Sequence, residues 1–172
     1  MTALAAASDP EAAVTYLEAA LVPPANLGEA RHPLANAADL WFLLGDALDA
    51  LGREDEARAA WRTAAESTGD FLSMSTQPFS TQTAYSVRAL RRLGEAERAD
   101  DLLGLLAGFT DELSVTPATV DYFATSLPSM LLFHADPQTA RDATVAVLRS
   151  QLDELRTGSG ESVAPATGHH QH

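Results

Sequence analysis

Few side chains in this sequence stand at spacings that chemistry could use. Tyr122 and Phe123, followed by Ser126, precede Pro128 in an apolar stretch where a proline interrupts helical hydrogen bonding and frees polar groups for a ligand. Aromatic rings beside a few polar groups suit a sugar or a peptide, and Phe79, Tyr85 and Trp61 are candidates to share that pocket. The competing reading is that these rings are core, the commoner fate of an aromatic on an apolar face. His134, between Phe133 and Ala135 near the end of a helix, reads as a partner for the last carbonyls rather than a catalytic group. His169-His170-x-His172 carries metal-ligand side chains, but nothing around it would fix their geometry, so no metal is expected there. Asp100-Asp101 and Asp111-Glu112 are sequence neighbours, point apart on a helix, and are poor acid–base pairs.

Several chemistries are missing their parts. Without cysteine there is no disulfide framework, thiolate zinc site, iron–sulfur cluster or cysteine nucleophile. The sequence contains no glycine-rich phosphate loop, no Gly-x-Ser-x-Gly elbow and no His-Glu-x-x-His. A non-enzymatic protein without a cofactor is the expectation. The 172 residues include 24 Asp plus Glu against 11 basic residues, all of them arginine, for a formal charge of −13. That charge repels phosphate backbones and anionic lipid at long range, so no nucleic acid and no membrane partner is expected. A protein or peptide is the better match. With 46% apolar residues the chain has enough to bury a core, and its length suits one domain. Neither a leader nor a membrane span is visible, which predicts a cytoplasmic location.

The elements that must position these residues are helices. Ser8-Asp9-Pro10-Glu11 predicts a helix start with Ser8 as cap, and Val14, Leu17 and Leu21 then share a face until Pro23-Pro24. Ala37 to Leu51 reads as the next helix, closed by Gly52 in the left-handed conformation, and Asp55 to Ser67 as a third, with Ala57, Trp61 and Ala64 on one side. Thr81 to Leu93, stopped by Gly94, and Glu95 to about Phe109, with Ala99, Leu103 and Leu106 on one face, repeat the arrangement. Thr116-Pro117 opens a further helix that Pro128 breaks or restarts, and Asp136-Pro137 opens a last one reaching Arg156. The whole reads as an all-α chain of seven or eight helices with no convincing strand. Residues 1–156 form the helical domain in this reading, and 157–172 lack the apolar content to order themselves.

Leu48, Leu51, Gly52, Ala57 and Trp61 recur as Leu90, Leu93, Gly94, Ala99 and Leu103, a constant offset of 42 residues. Together with Trp41-x-x-Leu44-Gly45-x-x-Leu48 and Ala57-x-x-x-Trp61, this resembles the tetratricopeptide repeat, in which small residues let the two helices of a hairpin nest. Ser86 and Val87 stand where the second unit would carry Leu and Gly. The usual period is about 34 residues, so a surplus of about eight falls in the polar segment Thr68 to Ser80, read as an insertion. Ala12, Tyr16, Ala19 and Pro24 match a second helix whose first helix is missing, so the chain reads as starting inside a unit, with a homodimer through that truncated end as one way to cover it.

The resemblance implies a solenoid that binds partners along a concave surface built from the first helix of each pair. Gly45 in the usual glycine position would turn Asp39, Phe42, Asp46 and Asp49 toward that groove, joined by Arg88, Arg91 and Arg92 from the next unit. The bland alternative is that Asp46 and Asp49 simply pair with Arg88 or Arg92 across adjacent hairpins, as solvated pairs of small net value. Asn26-Leu27-Gly28-Glu29, Gln77-Pro78-Phe79-Ser80 and Asp121 to Pro128 also look like the C-terminal helical region of large bacterial repeat proteins with a preceding β-rich domain. That likeness spans roughly Leu21 to Leu148. It implies a protein-binding or scaffold module, or else an accessory domain or remnant of a carbohydrate-active protein with a small-molecule pocket near Tyr122.

Overall fold

The computed structural model describes residues 9–22, 35–72, 75–118 and 136–158. They form six helices, α1 (Pro10–Leu21), α2 (Ala38–Ala50), α3 (Glu54–Glu66), α4 (Thr83–Arg92), α5 (Ala96–Val115) and α6 (Pro137–Gly158), and one ribbon of β1 (Asp70–Leu72) and β2 (Ser75–Gln77). Helix dominates, as the apolar spacing predicts. The ribbon is a departure from the strand-free expectation: it lies in the segment read as a polar insertion, paired antiparallel with Asp70 opposite Gln77 and Leu72 opposite Ser75. Three residues per strand are too few to leave a period-two pattern in a sequence. The helix expected from Thr116-Pro117 and its restart at Pro128 fall on residues outside those described, as do His134 and the three histidines near the end.

Each boundary has a local cause. Pro10 sets the first helical position of α1 and forces the residue before it to be extended, so the cap is Asp9 (φ −150°, ψ 90°), one residue later than the expected Ser8. Its carboxylate accepts the Ala12 N–H at 3.0 Å. α5 outruns the expected end near Phe109 by six residues, because nothing stops it before Pro117, which again demands an extended residue at Thr116 (φ −89°, ψ 120°). α6 starts where Asp136-Pro137 predicts, with the Asp136 carboxylate accepting from the Thr139 N–H and hydroxyl. It also passes Arg156 and takes in Thr157, whose hydroxyl donates to the Asp153 and Glu154 carbonyls rather than leaving the helix.

The two hairpins, α2–α3 and α4–α5, close with the same turn. Gly52 and Gly94 have φ of 73° and 81°. In the first, the Gly52 and Arg53 N–H groups donate to Asp49 and Leu48; in the second, those of Gly94 and Glu95 donate to Arg91 and Leu90. This is the Schellman closure, twice, at equivalent positions. Inside the first hairpin α2 and α3 touch at Gly45, where an added Cβ would stand 2.4 Å from the Trp61 indole. The corresponding residues of the second are Val87 and Leu103, a larger residue facing a smaller one, so the summed bulk is roughly kept.

Each helix packs on the next in the chain, and α4 also lies against both α2 and α6. One core joins α1 through α5, with Leu155 of α6; a smaller one gathers Leu106, Leu148 and Leu152 beside Phe79 and Phe109. The ribbon is tied in by Asp70, which is buried. Its carboxylate accepts the Asn36 N–H at 2.9 Å and the Ser80 hydroxyl at 2.7 Å, at the approaches to α2 and α4. The Asn36 amide in turn donates to the Gly69 carbonyl and accepts from the Ala38 N–H. Just before α4 the Ser80 N–H donates to the Thr83 hydroxyl, while the Ser80 hydroxyl accepts from the Gln82 N–H.

Candidate functional site

α4 carries Arg88, Arg91 and Arg92 and no acidic residue, in a chain of net charge −13. Its three arginines reach three different helices. Arg92 Nη2 meets Asp46 Oδ2 of α2 at 3.1 Å, Arg88 Nη2 meets Glu154 Oε2 of α6 at 2.9 Å, and Arg91 Nη2 lies 3.9 Å from Asp100 Oδ1 of α5. Arg91 also donates to the Leu155 carbonyl at 2.7 Å, near the negative end of the α6 dipole.

Aromatic rings complete this face. The Phe42 and Tyr85 rings lie 6.0 Å apart, Arg88 stacks on Tyr85 at 5.2 Å, and Arg92 stacks on Trp61 at 5.8 Å. The structure thus brings Phe42, Asp46, Arg88 and Arg92 together where α2, α4 and α6 run side by side. Asp39 sits at the start of α2, its N–H donating to the Gln82 side chain, and Asp49 is exposed near the other end. Asp46–Arg92 is the pairing that the bland reading anticipates, whereas Arg88 finds Glu154, a partner 66 residues on.

Asp46 is the most constrained charge here. Its Oδ1 accepts the Trp61 indole N–H at 3.1 Å while Oδ2 holds Arg92. Burial raises its carboxyl above the ordinary aspartate value, against the opposing pull of Arg92 and the Trp61 N–H, with Asp49 adding a small push upward. The linkage sign follows. Below the ordinary value both states hold the proton and the contribution to stability is complete; as pH rises, the unfolded chain releases it first, and stability is lost through the raised folded value. Urea unfolding from about pH 3.5 to 6 should therefore show wild-type stability falling relative to Asp46→Asn as pH rises. A constant difference would contradict the assignment.

Of the proposed pocket residues, Tyr122, Phe123 and Ser126 lie outside the described residues. Phe79 packs against Phe109 with ring centroids 5.6 Å apart and the rings tilted by 58°, while Tyr85 belongs to the α2–α4 face. Phe79 and Phe109 wall a cleft of about 490 Å³ between the end of α5 and the first turns of α6, with Ser80, Thr81, Arg141 and Thr144 supplying polar groups. The Arg141 guanidinium there donates to the Thr116 and Pro117 carbonyls. Spacing along the chain does not reveal Phe109, because its partner Phe79 reaches it from a loop 30 residues earlier.

Among the described residues no three His, Asp or Glu side chains gather as a metal site, and no helix is long and apolar enough to cross a membrane. No protein-family model matches the chain, and no solved structure matches it.

Proposed function

We propose that this chain is a cytoplasmic, non-enzymatic helical-hairpin module of the tetratricopeptide kind that binds or scaffolds another protein. The observation that carries the reading is the face shared by α2, α4 and α6, where Tyr85, Arg88 and Arg92 stand in a row on the central helix, backed by Phe42. Arg92 keeps 52% of its side chain exposed and Arg88 keeps 30%, so both retain surface for a partner while their acids hold them in place. Aromatic and arginine side chains held this way are the residue types that dominate binding energy at protein interfaces.

The test is affinity capture from cell extract with wild type and with Arg88→Gln/Arg92→Gln. Exposed ion pairs contribute at most about 1 kcal/mol each, so the variant should keep its helicity. Loss of a captured protein at unchanged circular dichroism supports the reading; identical capture by both rejects this face.

The cleft at Phe79 favours a second reading, an accessory domain that holds a carbohydrate, since two rings beside hydroxyls suit a sugar face. A sugar that binds only the native state must raise the melting temperature. If a monosaccharide and disaccharide panel leaves it unmoved at millimolar concentrations, this second reading fails.

A further inference from the structure

α3 and α5 both pack on α4, yet no Cα of α3 comes within 8 Å of one in α5. The gap between them is a cleft of about 310 Å³. Ala65 of α3, Leu90 of α4, Leu102 and Leu105 of α5 and Phe79 line it, together with polar residues of the segment between α3 and α4. Leu105 stands at the lip with 59% of its surface exposed.

The α5 surface beside that lip is acidic and open. Glu97, Asp101, Leu105, Gly108 and Glu112 follow one another at spacings of four, four, three and four, which aligns them along one side of the helix. A Cβ placed at Gly104 or Gly108 would meet nothing within 4 Å. Among the described residues Glu97 and Asp101 are exposed and form no ion pair, while Arg98, the cation at the rim, is held by Glu95. Over its whole length α5 has five acidic residues against one arginine.

We propose that the α3–α5 cleft docks a basic segment of another protein, which inserts one apolar side chain beside Leu105 and lays its cations along Glu97 and Asp101. The proposal rests on the binding-module reading and adds a second surface with its own partner chemistry. Charge selects the occupant. A chain of −13 attracts cations at long range and repels a second copy of itself. At about 310 Å³ the cleft has ample room for an apolar side chain, so an apolar anchor flanked by Lys or Arg is a segment that fits it.

The probe is a fluorescent amphipathic peptide of leucine and lysine, with a leucine–glutamate peptide of the same pattern as control, followed by anisotropy against wild type, Leu105→Glu and Val147→Glu. Both substitutions add one negative charge at an exposed position, Val147 being 47% exposed on α6. Attraction to bulk charge alone makes both variants bind more tightly. Docking at the cleft instead weakens Leu105→Glu by about tenfold or more and leaves Val147→Glu at least as tight as wild type. Equal or tighter binding by Leu105→Glu overturns the proposal, as does absence of binding at millimolar protein or equal binding of the acidic peptide. Sedimentation provides the remaining arm, since wild-type dimers abolished by Leu105→Glu would make a second copy the occupant and also overturn it. Extract capture through Arg88 and Arg92 should survive Leu105→Glu, so each surface can fail separately.

Discussion

Gly45→Val should destabilise the protein by about 1–3 kcal/mol, the usual cost of forcing methyl groups into a filled contact. Even the first added carbon would stand 2.4 Å from both Cδ1 and Nε1 of Trp61, and the indole cannot retreat freely because Asp46 holds its N–H and Arg92 covers its face. Hairpin 83–115 shows the remedy, with Val87 and Leu103 at the equivalent places. Trp61→Leu alone leaves a cavity and strips Asp46 of a donor, yet joined to Gly45→Val it makes room for the new methyls. The double variant should be more stable than the two single losses predict, with a coupling of about 1–3 kcal/mol by urea denaturation. Gly104→Ala is the contrasting control: the space above it is open, and the substitution should stabilise by about 1 kcal/mol through helix propensity alone. Additive losses, or the same sign at residues 45 and 104, would refute the close contact.

Asp70→Ala should cost about 3 kcal/mol, since it removes a buried acceptor and strands the Asn36 N–H and the Ser80 hydroxyl in an interior where each unmade bond is expensive. Asp70→Asn keeps the shape. Its amide oxygen can accept from Asn36 while its NH₂ donates to the Ser80 oxygen, so the loss should shrink to about 1–2 kcal/mol. Thermal unfolding with equal native helicity measures both. If Asp70→Ala matches wild type, the ribbon is not what joins the approaches to α2 and α4.

These two sites differ in how far the sequence disclosed them. Gly45 was legible as a nesting point from the small residues at 45 and 57 in the repeat-like pattern, whereas its direct contact with the Trp61 ring, which that reading placed in the groove beside them, came from the structure. The same regularity made Gly52 and Gly94 readable as turn closers. Asp70 was not legible. Nothing in Thr68 to Ser80 marks one aspartate as interior, because its burial comes from Asn36, 34 residues before it, meeting it across the fold. Short strands carry too little pattern, and a polar run reads as surface until its partners are known. The charged face was half legible: the types and helix of Arg88 and Arg92 followed from spacing, and Asp46 was named as a partner, but Glu154 was reachable only once α6 was seen to lie along α4.

The hairpins end in the same backbone closure, and they meet directly, α4 lying on both α2 and α3 within one core. The spacer 67–82 adds a second tie, since its one interior carboxylate touches the approach to each hairpin. Lengthening or shortening the ribbon would then strain the joint between the two hairpins while leaving each hairpin's own contacts intact.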